Sequence, residues 1–536
     1  MLQRVQGTRG KKNSGRRDHL LQIPQPPSPG NDNKHKTSIR SMTLMAATSD
    51  LYGALHNSRL WDGLSGRRYI PNSALREILP RDNVIAELNK HRKRRLLPLP
   101  RQSESSKKLA DSILGRGRKL FAILIMLNLS WEIKDLLDAG LTDEDLPLLK
   151  SGNCLTSSAK KTKTFEWPVN WGPEKADYFV DTAQWLLLAP VFCTRGAHKD
   201  LAQECPLPFV KVKEISGGQI SVVYKVSIDP SHQKGFEIEA PSLEVALKEF
   251  RYPNDFKTER ENLNAIRGSC SSNHITQSLE TFSQGNKRYI IFPWAEGGDL
   301  DNFWKEKNRE HRSPQLADWC LRQMLGLAEA LDFLHNQIGN QANFRHGDLK
   351  PGNILHFPAK EDPYGVLKIA DFGISRVHNV ATLQRKGVET TTRATTPSYE
   401  APEALSRGIP RSRKYDIWSL GCIYLEFTIW FMRDWRAVEN FSLARKSTAV
   451  GDDELALFYY KKDSTAEDSI EVHPAVADNI TSLRQVAEGA EGTTFGDLLD
   501  TIEFKLLRVK VEDRIDAKKL CELLSAVLQR AHGDQG

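Results

Sequence analysis

Between residues 46 and 200 the apolar positions of the chain recur mainly at helical intervals. The clearest stretch consists of Ile113, Leu114, Leu120, Phe121, Ile123, Leu124, Met126, Leu127 and Leu129. Side chains three or four residues apart share one face of a helix, so this spacing predicts helices that pack on one another. Residues 46–206 are therefore predicted to form a mainly helical N-terminal region, in which no catalytic pattern is evident.

The pattern changes near residue 207. Apolar and β-branched residues alternate over 210–226, which predicts a pair of antiparallel strands. Shorter runs at 243–250 and 289–292 predict further strands, and the apolar positions over 315–335 predict one long amphipathic helix. A strand-rich segment followed by a helix-rich segment predicts an α+β protein.

Two segments show neither the helical spacing nor the strand alternation of apolar residues. Residues from about 431 to 495 are polar and irregular, and we expect an insertion there before the last helices. Residues 1–45 expose too little apolar surface to offset the entropy of ordering, which predicts a disordered tail. The tail holds nine Lys/Arg and two Asp, which accounts for the whole formal net charge of +7. Contact of this tail with nucleic acid or anionic lipid is one interpretation, and a simply solvated tail is the preferred one.

Composition narrows the class of protein. With 536 residues, 27% charged and 39% hydrophobic, the chain has the make-up of a globular protein of several domains. The longest apolar run, 120–129, is shorter than the roughly 20 residues that span a bilayer, and no secretory signal is evident. The seven cysteines contain no CxxC pair, which favours free thiols in a reducing compartment. We therefore expect an intracellular protein of the cytoplasm, the nucleus or both.

Candidate chemistry is concentrated in two short segments. Residues 345–355, RHGDLKPGNIL, place Asp348 and Asn353 in one polar loop. Asp371 follows the apolar run 367–370 and opens the triplet Asp-Phe-Gly. Carboxylate and carboxamide oxygens are the ligands that hard metal ions prefer, and such ions hold phosphate oxygens in turn. The two segments therefore predict a magnesium–nucleotide site.

The order and spacing of these motifs resemble the catalytic and metal-binding loops of eukaryotic serine/threonine protein kinases. The large polar insertions also resemble those of protein kinase-like proteins from filamentous fungi. The resemblance implies a bilobal protein kinase fold over 207–530. Its N-lobe is expected at 207–293, as an antiparallel sheet with one helix, and its mainly helical C-lobe at 299–530.

The resemblance also implies roles for the catalytic loop. Asp348 would be the catalytic base that accepts or orients the substrate hydroxyl, and Lys350 would steady the transferring phosphoryl charge. Asn353 and Asp371 would coordinate magnesium. Gly347 departs from the family, which often has Arg at this position to bind a phosphorylated loop. We therefore predict that phosphorylation of the loop is not an obligatory switch, although Thr390, Thr391, Thr392 and Thr395 remain available for modification.

A lysine and a glutamate complete the implied catalytic set. Lys248 ends the run Val-Ala-Leu-Lys, where the family places the lysine that bridges the α- and β-phosphates. Its expected partner is Glu259 on the following helix, although the separation is short for the family. Glu261 is the alternative partner.

The nucleotide-binding residues implied by the resemblance surround the adenine, the ribose and the phosphates. Only Gly218 falls on the family's glycine pattern, because Ser216 and Ser221 replace the two outer glycines. A plain hairpin explains this segment equally well, and a surface turn explains Asp299 equally well. The expected contacts are Ile215, Gly218, Ser221, Val223, Ala246, Lys248, Phe292, Trp294, Ala295, Asp299 and Leu355.

Other segments resemble structural elements of the family. Glu403, in Ala-Pro-Glu, is expected to pair with Arg514, and Asp416 is expected to hold the backbone of the catalytic loop. These features distinguish protein kinases from small-molecule kinases, which are the weaker alternative. Thr396 and the sequence Asp-Leu-Lys-Pro over 348–351 resemble the serine/threonine branch.

The implied function is magnesium-dependent transfer of the γ-phosphate of ATP to serine or threonine hydroxyls of protein substrates. The main alternative is a pseudokinase, which would act as an ATP-binding or scaffolding module. The depleted glycine pattern and the short separation of Lys248 and Glu259 support that alternative.

Overall fold

The structure is a computed structural model that describes most of the chain from residue 50 onwards. The described residues are 50–92, 103–152, 154–158, 160, 163–166, 171–194, 196–218, 220–236, 243–269, 272–308, 310–338, 344–373, 397–405, 411–447, 455–462, 470–486 and 493–533. The predicted tail at 1–45 and the threonines Thr390, Thr391, Thr392, Thr395 and Thr396 lie outside these ranges. Of the helices that are described, none combines the length and the apolar composition needed to cross a membrane.

The described part of the N-terminal region is mainly helical, as predicted. Its helices are α1 (Leu51–Asn57), α2 (Asn72–Ile78), α3 (Arg81–Arg92), α4 (Ser103–Arg116), α5 (Arg118–Met126), α6 (Ile133–Asp138) and α7 (Pro173–Tyr178). Short strands that the sequence did not predict lie between them, namely β1 (Leu60–Trp61), β2 (Arg68–Tyr69), β3 (Leu148–Ser151), β4 (Cys154–Ser157) and β5 (Thr164–Glu166).

Helix α5 lies at the centre of the N-terminal region. Its side chains from Leu120 to Met126 are all buried, so the helix has no polar face and other elements must surround it. The first amides of α5 lack partners within the helix. The carboxylate of Asp143 accepts hydrogen bonds from the Lys119 and Leu120 amides, both at 3.0 Å. A carboxylate at this end of a helix also interacts favourably with the helix dipole.

A six-stranded sheet follows, in the order β7-β12-β13-β11-β9-β8. The strands of this part of the chain are β6 (Phe192–Cys193), β7 (Lys199–Leu201), β8 (Phe209–Gly217), β9 (Ser221–Ile228), β10 (Gln233–Lys234), β11 (Leu243–Phe250), β12 (Glu280–Gln284) and β13 (Lys287–Pro293). The predicted pair over 210–226 forms β8 and β9, the run 243–250 forms β11, and 289–292 lies within β13. Helix α8 (Pro253–Ser269) packs against β11 and β13.

Strand β7 extends this sheet with residues that precede the predicted boundary at 207. It pairs in parallel with β12, whereas the other strand pairs of the sheet are antiparallel. The fully buried carboxylate of Glu280, on β12, forms an ion pair with Lys199 and accepts a hydrogen bond from the Cys193 amide at 2.6 Å. Residues 199–201, which precede the predicted boundary at 207, therefore belong to the sheet.

The C-terminal half is mainly helical. Its helices are α9 (Leu300–Glu306), α10 (Pro314–Asn336), α11 (Lys414–Met432), α12 (Trp435–Ala444), α13 (Pro474–Val486), α14 (Thr494–Thr501) and α15 (Ala517–Gly533). Its strands are β14 (Ile354–Phe357), β15 (Val366–Ile369), β16 (Lys446–Ser447), β17 (Leu455–Ala456), β18 (Tyr459–Lys461) and β19 (Ile470–Val472). Helix α10 corresponds to the helix predicted over 315–335. Helix α11 is buried continuously from Tyr415 to Trp430, so it forms the axis of this lobe.

The expectation that residues 431–495 are irregular is wrong for the part that the structure describes. That part contains α12, α13 and the strands β16 to β19. In α13 the buried residues are Val476, Ile480 and Leu483, which recur at helical spacing and join the large core of the lobe. Short helices with polar outer faces look irregular in sequence, because so few of their positions are apolar.

Candidate active site

Strands β14 and β15 bring the two predicted metal ligands together. Asn353 ends a 3-10 turn just before β14, and Asp371 comes two residues after the end of β15. The strands are antiparallel with Ile354 opposite Ile369, so both polar residues lie at the same end of the hairpin. The Ala370 amide donates to the Asn353 carbonyl oxygen at 2.9 Å and fixes this arrangement.

Asp348 lies at the centre of the catalytic loop. Its Oδ2 is 2.9 Å from Nζ of Lys350 and 3.0 Å from Nδ2 of Asn353. Nδ2 of Asn353 also donates to the Asp348 carbonyl oxygen at 2.7 Å. Burial raises the pKa of Asp348, although the Lys350 ammonium lowers it in part. The loop thus holds a desolvated carboxylate against one cation and one carboxamide.

Asp416, on α11, binds the backbone of the loop that carries Asp348. Its fully buried carboxylate accepts hydrogen bonds from the His346 amide at 2.9 Å and the Gly347 amide at 2.8 Å. Nε2 of His335 lies 2.9 Å from the same carboxylate. Burial acts to raise the pKa of Asp416, but His335, His346 and the Gly347 amide together outweigh burial, so the pKa is lowered. An ionised, buried acceptor of backbone amides fixes the loop that carries Asp348.

Lys248 joins the sheet, helix α8 and the segment after β15. Its Nζ lies 3.0 Å and 2.8 Å from the two carboxylate oxygens of Glu259, and 3.0 Å from Oδ1 of Asp371. Burial raises the pKa of Glu259 to about 7, against the effect of Lys248. Burial acts to raise the pKa of Asp371, but Lys248, His346 and the Gly373 amide together outweigh burial, so the pKa is lowered. Glu261, the alternative partner, is exposed on the outer side of α8.

The backbone at Asp371 has a φ of 67°, in the left-handed region. The ring of Phe372 packs edge-on against His346 at 5.5 Å, and the Phe372 carbonyl oxygen accepts a hydrogen bond from Nδ2 of Asn262 at 2.7 Å. A Cβ on Gly373 would lie 2.8 Å from Oε2 of Glu259, so a side chain has no room there. Helix α8 therefore contacts this segment at two points.

The remaining oxygens fit a hard divalent cation. Asn353 uses its Nδ2 toward Asp348, so its carboxamide oxygen is not used in those contacts. Asp371 contacts Lys248 through Oδ1 alone, which leaves Oδ2 outside that ion pair. One carboxamide oxygen and one carboxylate oxygen match the ligand preference of magnesium, which takes its other ligands from water and phosphate.

The β8–β9 hairpin pairs with β11, the strand that carries Lys248. Val223 lies opposite Lys248 in the pairing of β9 with β11, so its position is next to the predicted phosphate-binding lysine. The hairpin closes with a hydrogen bond from the Gly218 amide to the Ser221 carbonyl oxygen at 2.9 Å. A Cβ on Gly218 would make only an ordinary contact, 3.5 Å from that oxygen. Ile215 is 45% exposed on the hairpin.

The connection between the lobes lies at the end of β13. Ala246 is opposite Phe292 in the pairing of β11 with β13, and Ala295 is buried after the strand. The Trp294 ring lies 4.7 Å from Nζ of Lys225. The backbones of Asp299 and half-buried Leu355 form an isolated antiparallel β-bridge. Oδ1 of Asp299 also accepts a hydrogen bond from the Asn302 amide at 2.8 Å, so this carboxylate caps α9.

Comparison of the chain with known protein families identifies the family to which it belongs. Residues 209–522, more than half of the chain, match the family model described as "Protein kinase domain". The chain belongs to the protein kinase family. The matched residues include the kinase sheet from β8 onwards, both ends of the Lys248–Glu259 pair and the catalytic loop.

Named relatives support the serine/threonine kinase class. "Serine/threonine-protein kinase 10" of Danio rerio is 32% identical over 219 residues, which cover 40% of this chain and 20% of that protein. "Serine/threonine-protein kinase dst2" of Dictyostelium discoideum is 30% identical over 41% of this chain and 17% of its own length. "Calcium/calmodulin-dependent protein kinase type 1" of Macrobrachium nipponense is 28% identical over 42% of this chain and 54% of its own length. The match thus spans about a fifth of the kinase 10 relative.

The kinase C-lobe contains the expected ion pair. Glu403 and Arg514 form two hydrogen bonds, of 2.8 Å and 2.7 Å, and the Arg514 side chain is fully buried. Three backbone carbonyl oxygens also accept from Arg514, those of Arg508, Lys414 and Val509. This residue therefore ties the turn at Pro402–Leu405 to the start of α11 and the segment before α15.

The sequence did not identify two residues of this kinase site. Asn262 holds the Phe372 carbonyl oxygen, and His335 holds Asp416. Asn262 follows Glu259 by three residues, so it shares the inward face of α8, and helical spacing could have identified it. His335 ends the predicted helix α10, but its partner lies 81 residues away, which no local pattern reveals.

Proposed function

We propose that this kinase transfers the γ-phosphate of ATP to serine or threonine hydroxyls of protein substrates and requires magnesium. The observation that carries the proposal is the position of the Lys248 ammonium, within 3.0 Å of both Glu259 and Asp371. A lysine held between a helix carboxylate and the metal-binding carboxylate is positioned to receive phosphate oxygens from a nucleotide in the cleft.

The proposed reaction forms a bond between the substrate oxygen and the γ-phosphorus and breaks the bond between that phosphorus and the β-phosphate oxygen. Asp348 orients the hydroxyl and accepts its proton, and the raised pKa of Asp348 suits that role. Lys350, 2.9 Å from Asp348, compensates charge on the transferring phosphoryl group.

Asn353 and Asp371 would hold magnesium, which supplies positive charge at the phosphate oxygens. Their positions at one end of the β14–β15 hairpin support this assignment. For the base, we propose that Ile215, Val223, Ala246 and Leu355 enclose the adenine, with Phe292 behind it. Backbone groups around Trp294 and Ala295 would bond to its edge, and Gly218 and Ser221 would cover the phosphates. Asp299 is the proposed ribose contact, in addition to its capping role.

Transfer of labelled phosphate from ATP to a generic protein substrate tests the proposal. We expect Asp348→Asn and Asp371→Asn to lower the rate by at least about 100-fold, because each removes one charge from the site. Asp138→Asn makes the same change on the exposed end of α6 and should leave the rate unchanged. Equal incorporation by the wild type and Asp371→Asn would exclude this chain as the source of the activity.

The altered glycine segment favours one alternative, a pseudokinase that binds ATP without transferring phosphate. Its hairpin closes around Gly218 without requiring a glycine there. Thermal unfolding with ATP, with and without magnesium, distinguishes the two functions. Magnesium-dependent stabilisation without any phosphate transfer would support the pseudokinase, because ligand binding raises stability whether or not chemistry follows.

A further inference from the structure

Asp371 has a backbone conformation that the groups around it must maintain. Its φ of 67° lies in the left-handed region, which residues with a side chain adopt only rarely. The carbonyl oxygens of the residues on both sides of it are held. The Ala370 carbonyl oxygen accepts a hydrogen bond from Nε2 of His346 at 3.0 Å, and the Phe372 carbonyl oxygen accepts one from Nδ2 of Asn262 at 2.7 Å. These two contacts restrain the backbone of Asp371 between them.

Asn262 reaches this segment from helix α8. It is 4% exposed and follows Glu259 by three residues, so the two side chains lie on the same inward face of the helix. Its bond to the Phe372 carbonyl oxygen is buried, and a buried carbonyl group requires a donor, which an apolar side chain cannot supply. The helix that carries the partner of Lys248 therefore also fixes the backbone of the segment that carries the predicted metal ligand.

The direction of the Asp371 carboxylate depends on the same backbone. Oδ1 lies 3.0 Å from Nζ of Lys248 and 3.4 Å from the Gly373 amide, so this oxygen faces the protein. Oδ2 takes no part in either contact and is the oxygen left for a metal ion. A rotation of the peptide between Phe372 and Gly373 would break the hydrogen bond from Asn262 and move the Gly373 amide away from Oδ1. The direction of Oδ2 is therefore coupled to the contact with Asn262.

We propose that Asn262 is a positioning residue for magnesium binding: it holds the Phe372 carbonyl oxygen and so keeps Asp371 in the conformation that directs Oδ2 toward the metal. The inference rests on the proposed magnesium role of Asp371. Asn262 acts through Phe372 and needs no contact with the metal or the nucleotide. Without its N–H donor the carbonyl group stays buried and unpaired, so the segment shifts toward other conformations. Only the competent conformation binds the metal well, so the apparent affinity falls with its population.

Asn262→Leu tests this role, because it replaces the carboxamide with an apolar group of similar size. Magnesium is titrated into the full chain at saturating ADP, and thermal unfolding measures the stabilisation. We expect the half-saturating magnesium concentration to rise at least about tenfold. Stabilisation by ADP in the presence of EDTA should stay unchanged, whereas a general loosening of α8 would displace Glu259 and weaken it too. Asn264→Leu makes the same change on the exposed side of α8 and should respond as the wild type does.

Hydrogen exchange of the metal-free chain provides a second readout. Asn262→Leu should speed exchange at the Phe372 and Gly373 amides and leave β15 unchanged. If Asn262→Leu fails to fold, Asn262→Ser, which shortens the side chain without adding bulk, is measured in the same way. If the wild type responds to magnesium and the variant has the same magnesium dependence, the inference is wrong and the proposed function stands. If the wild type gains no stability from magnesium, the proposed role of Asp371 is wrong and the inference fails with it.

Discussion

At Lys248, one ammonium group contacts two carboxylates that reach it from different parts of the chain. Glu259 arrives from α8 and Asp371 from the end of the β14–β15 hairpin. Sequence spacing alone left Glu259 and Glu261 as alternatives. The phase of α8 decides between them, because Glu259 is 2% exposed and faces the sheet while Glu261 faces solvent.

Burial raises the pKa of Glu259 to about 7, and this has a consequence for activity. As the pH falls through about 7, Glu259 takes up a proton and loses the charge that holds Lys248. We expect kcat/KM for phosphate transfer to fall over the same range, whereas Asp371, with its lowered pKa, stays ionised. The measurement is kcat/KM from about pH 5 to about pH 9.

Glu259→Gln is the matched variant for that profile. It removes the ionisable group, so kcat/KM should be lower than in the wild type and nearly flat across the range near neutrality. An acid-side fall of unchanged position in Glu259→Gln would show that another group causes it, and Asp348, whose pKa is also raised, would be the next candidate.

Gly297, between the lobes, is packed too closely against His356 to carry a side chain. A Cβ on Gly297 would overlap the imidazole of His356, which is buried and donates through Nε2 to the Tyr364 carbonyl oxygen at 2.7 Å. We expect Gly297→Ala to lower the free energy of unfolding by about 1–3 kcal/mol, because this packed contact leaves no room for a methyl group. Chemical denaturation measures the change.

Gly115, near the end of α4, provides the control. A Cβ there would meet no atom within 4 Å. Gly115→Ala should raise the free energy of unfolding by about 0.5 kcal/mol, since alanine loses less conformational entropy in a helix. If both alanine variants changed stability equally, the close approach of Gly297 to His356 would not be the cause.

Among the elements, the Glu403–Arg514 contact shows how a turn and two helical segments are joined by one side chain. Arg514 is 1% exposed, and its acceptors come from three separate segments. Such a contact stabilises the turn only while both charges are present, because a buried guanidinium without its carboxylate remains desolvated.

Glu403→Gln keeps the shape of the side chain and removes its charge. We expect a loss of about 3 kcal/mol in the free energy of unfolding, measured by denaturant titration, because Arg514 would be left buried with neutral acceptors only. Glu522→Gln makes the same change in the exposed pair with Lys519 and should have no measurable effect. Similar losses in the two variants would contradict the importance of burial here.

Across the whole molecule, the N-terminal region is joined to the kinase sheet by buried hydrogen bonds. Asp62 is 1% exposed and accepts from the Leu64 amide at 2.8 Å and the Leu207 amide at 3.0 Å. The Gly63 amide donates to the Phe209 carbonyl oxygen at 2.7 Å, and the Asn72 amide donates to Nε2 of His232 at 3.1 Å. The edge strand β7 adds a further connection.

Asp62→Ala should loosen this connection. It leaves the buried Leu207 amide without an acceptor, which costs about 1–3 kcal/mol. We expect faster hydrogen exchange at Leu207 and along β8, measured on the full chain. Asp50→Ala removes a carboxylate that caps only α1, through the Tyr52 amide, so exchange along β8 should stay unchanged. Faster exchange in β8 from Asp50→Ala as well would indicate general destabilisation.

Local pattern in the sequence determined the kinase assignment. Period-2 alternation predicted β8, β9 and β11, and helical spacing predicted α10, because each pattern requires only residues near one another in the chain. The order and spacing of Asp348, Asn353 and Asp371 predicted the site, because they resemble the catalytic and metal-binding loops of protein kinases.

The tertiary structure alone decided the contacts between distant segments. It selected Glu259 over Glu261, attached β7 to the sheet and placed the guanidinium of Arg345 against Gly347. It also showed ordered helices where the polar stretch 431–495 had suggested irregular structure. Such contacts depend on the packing of elements far apart in sequence, and neither the period nor the spacing of residues encodes which of several similar side chains becomes buried.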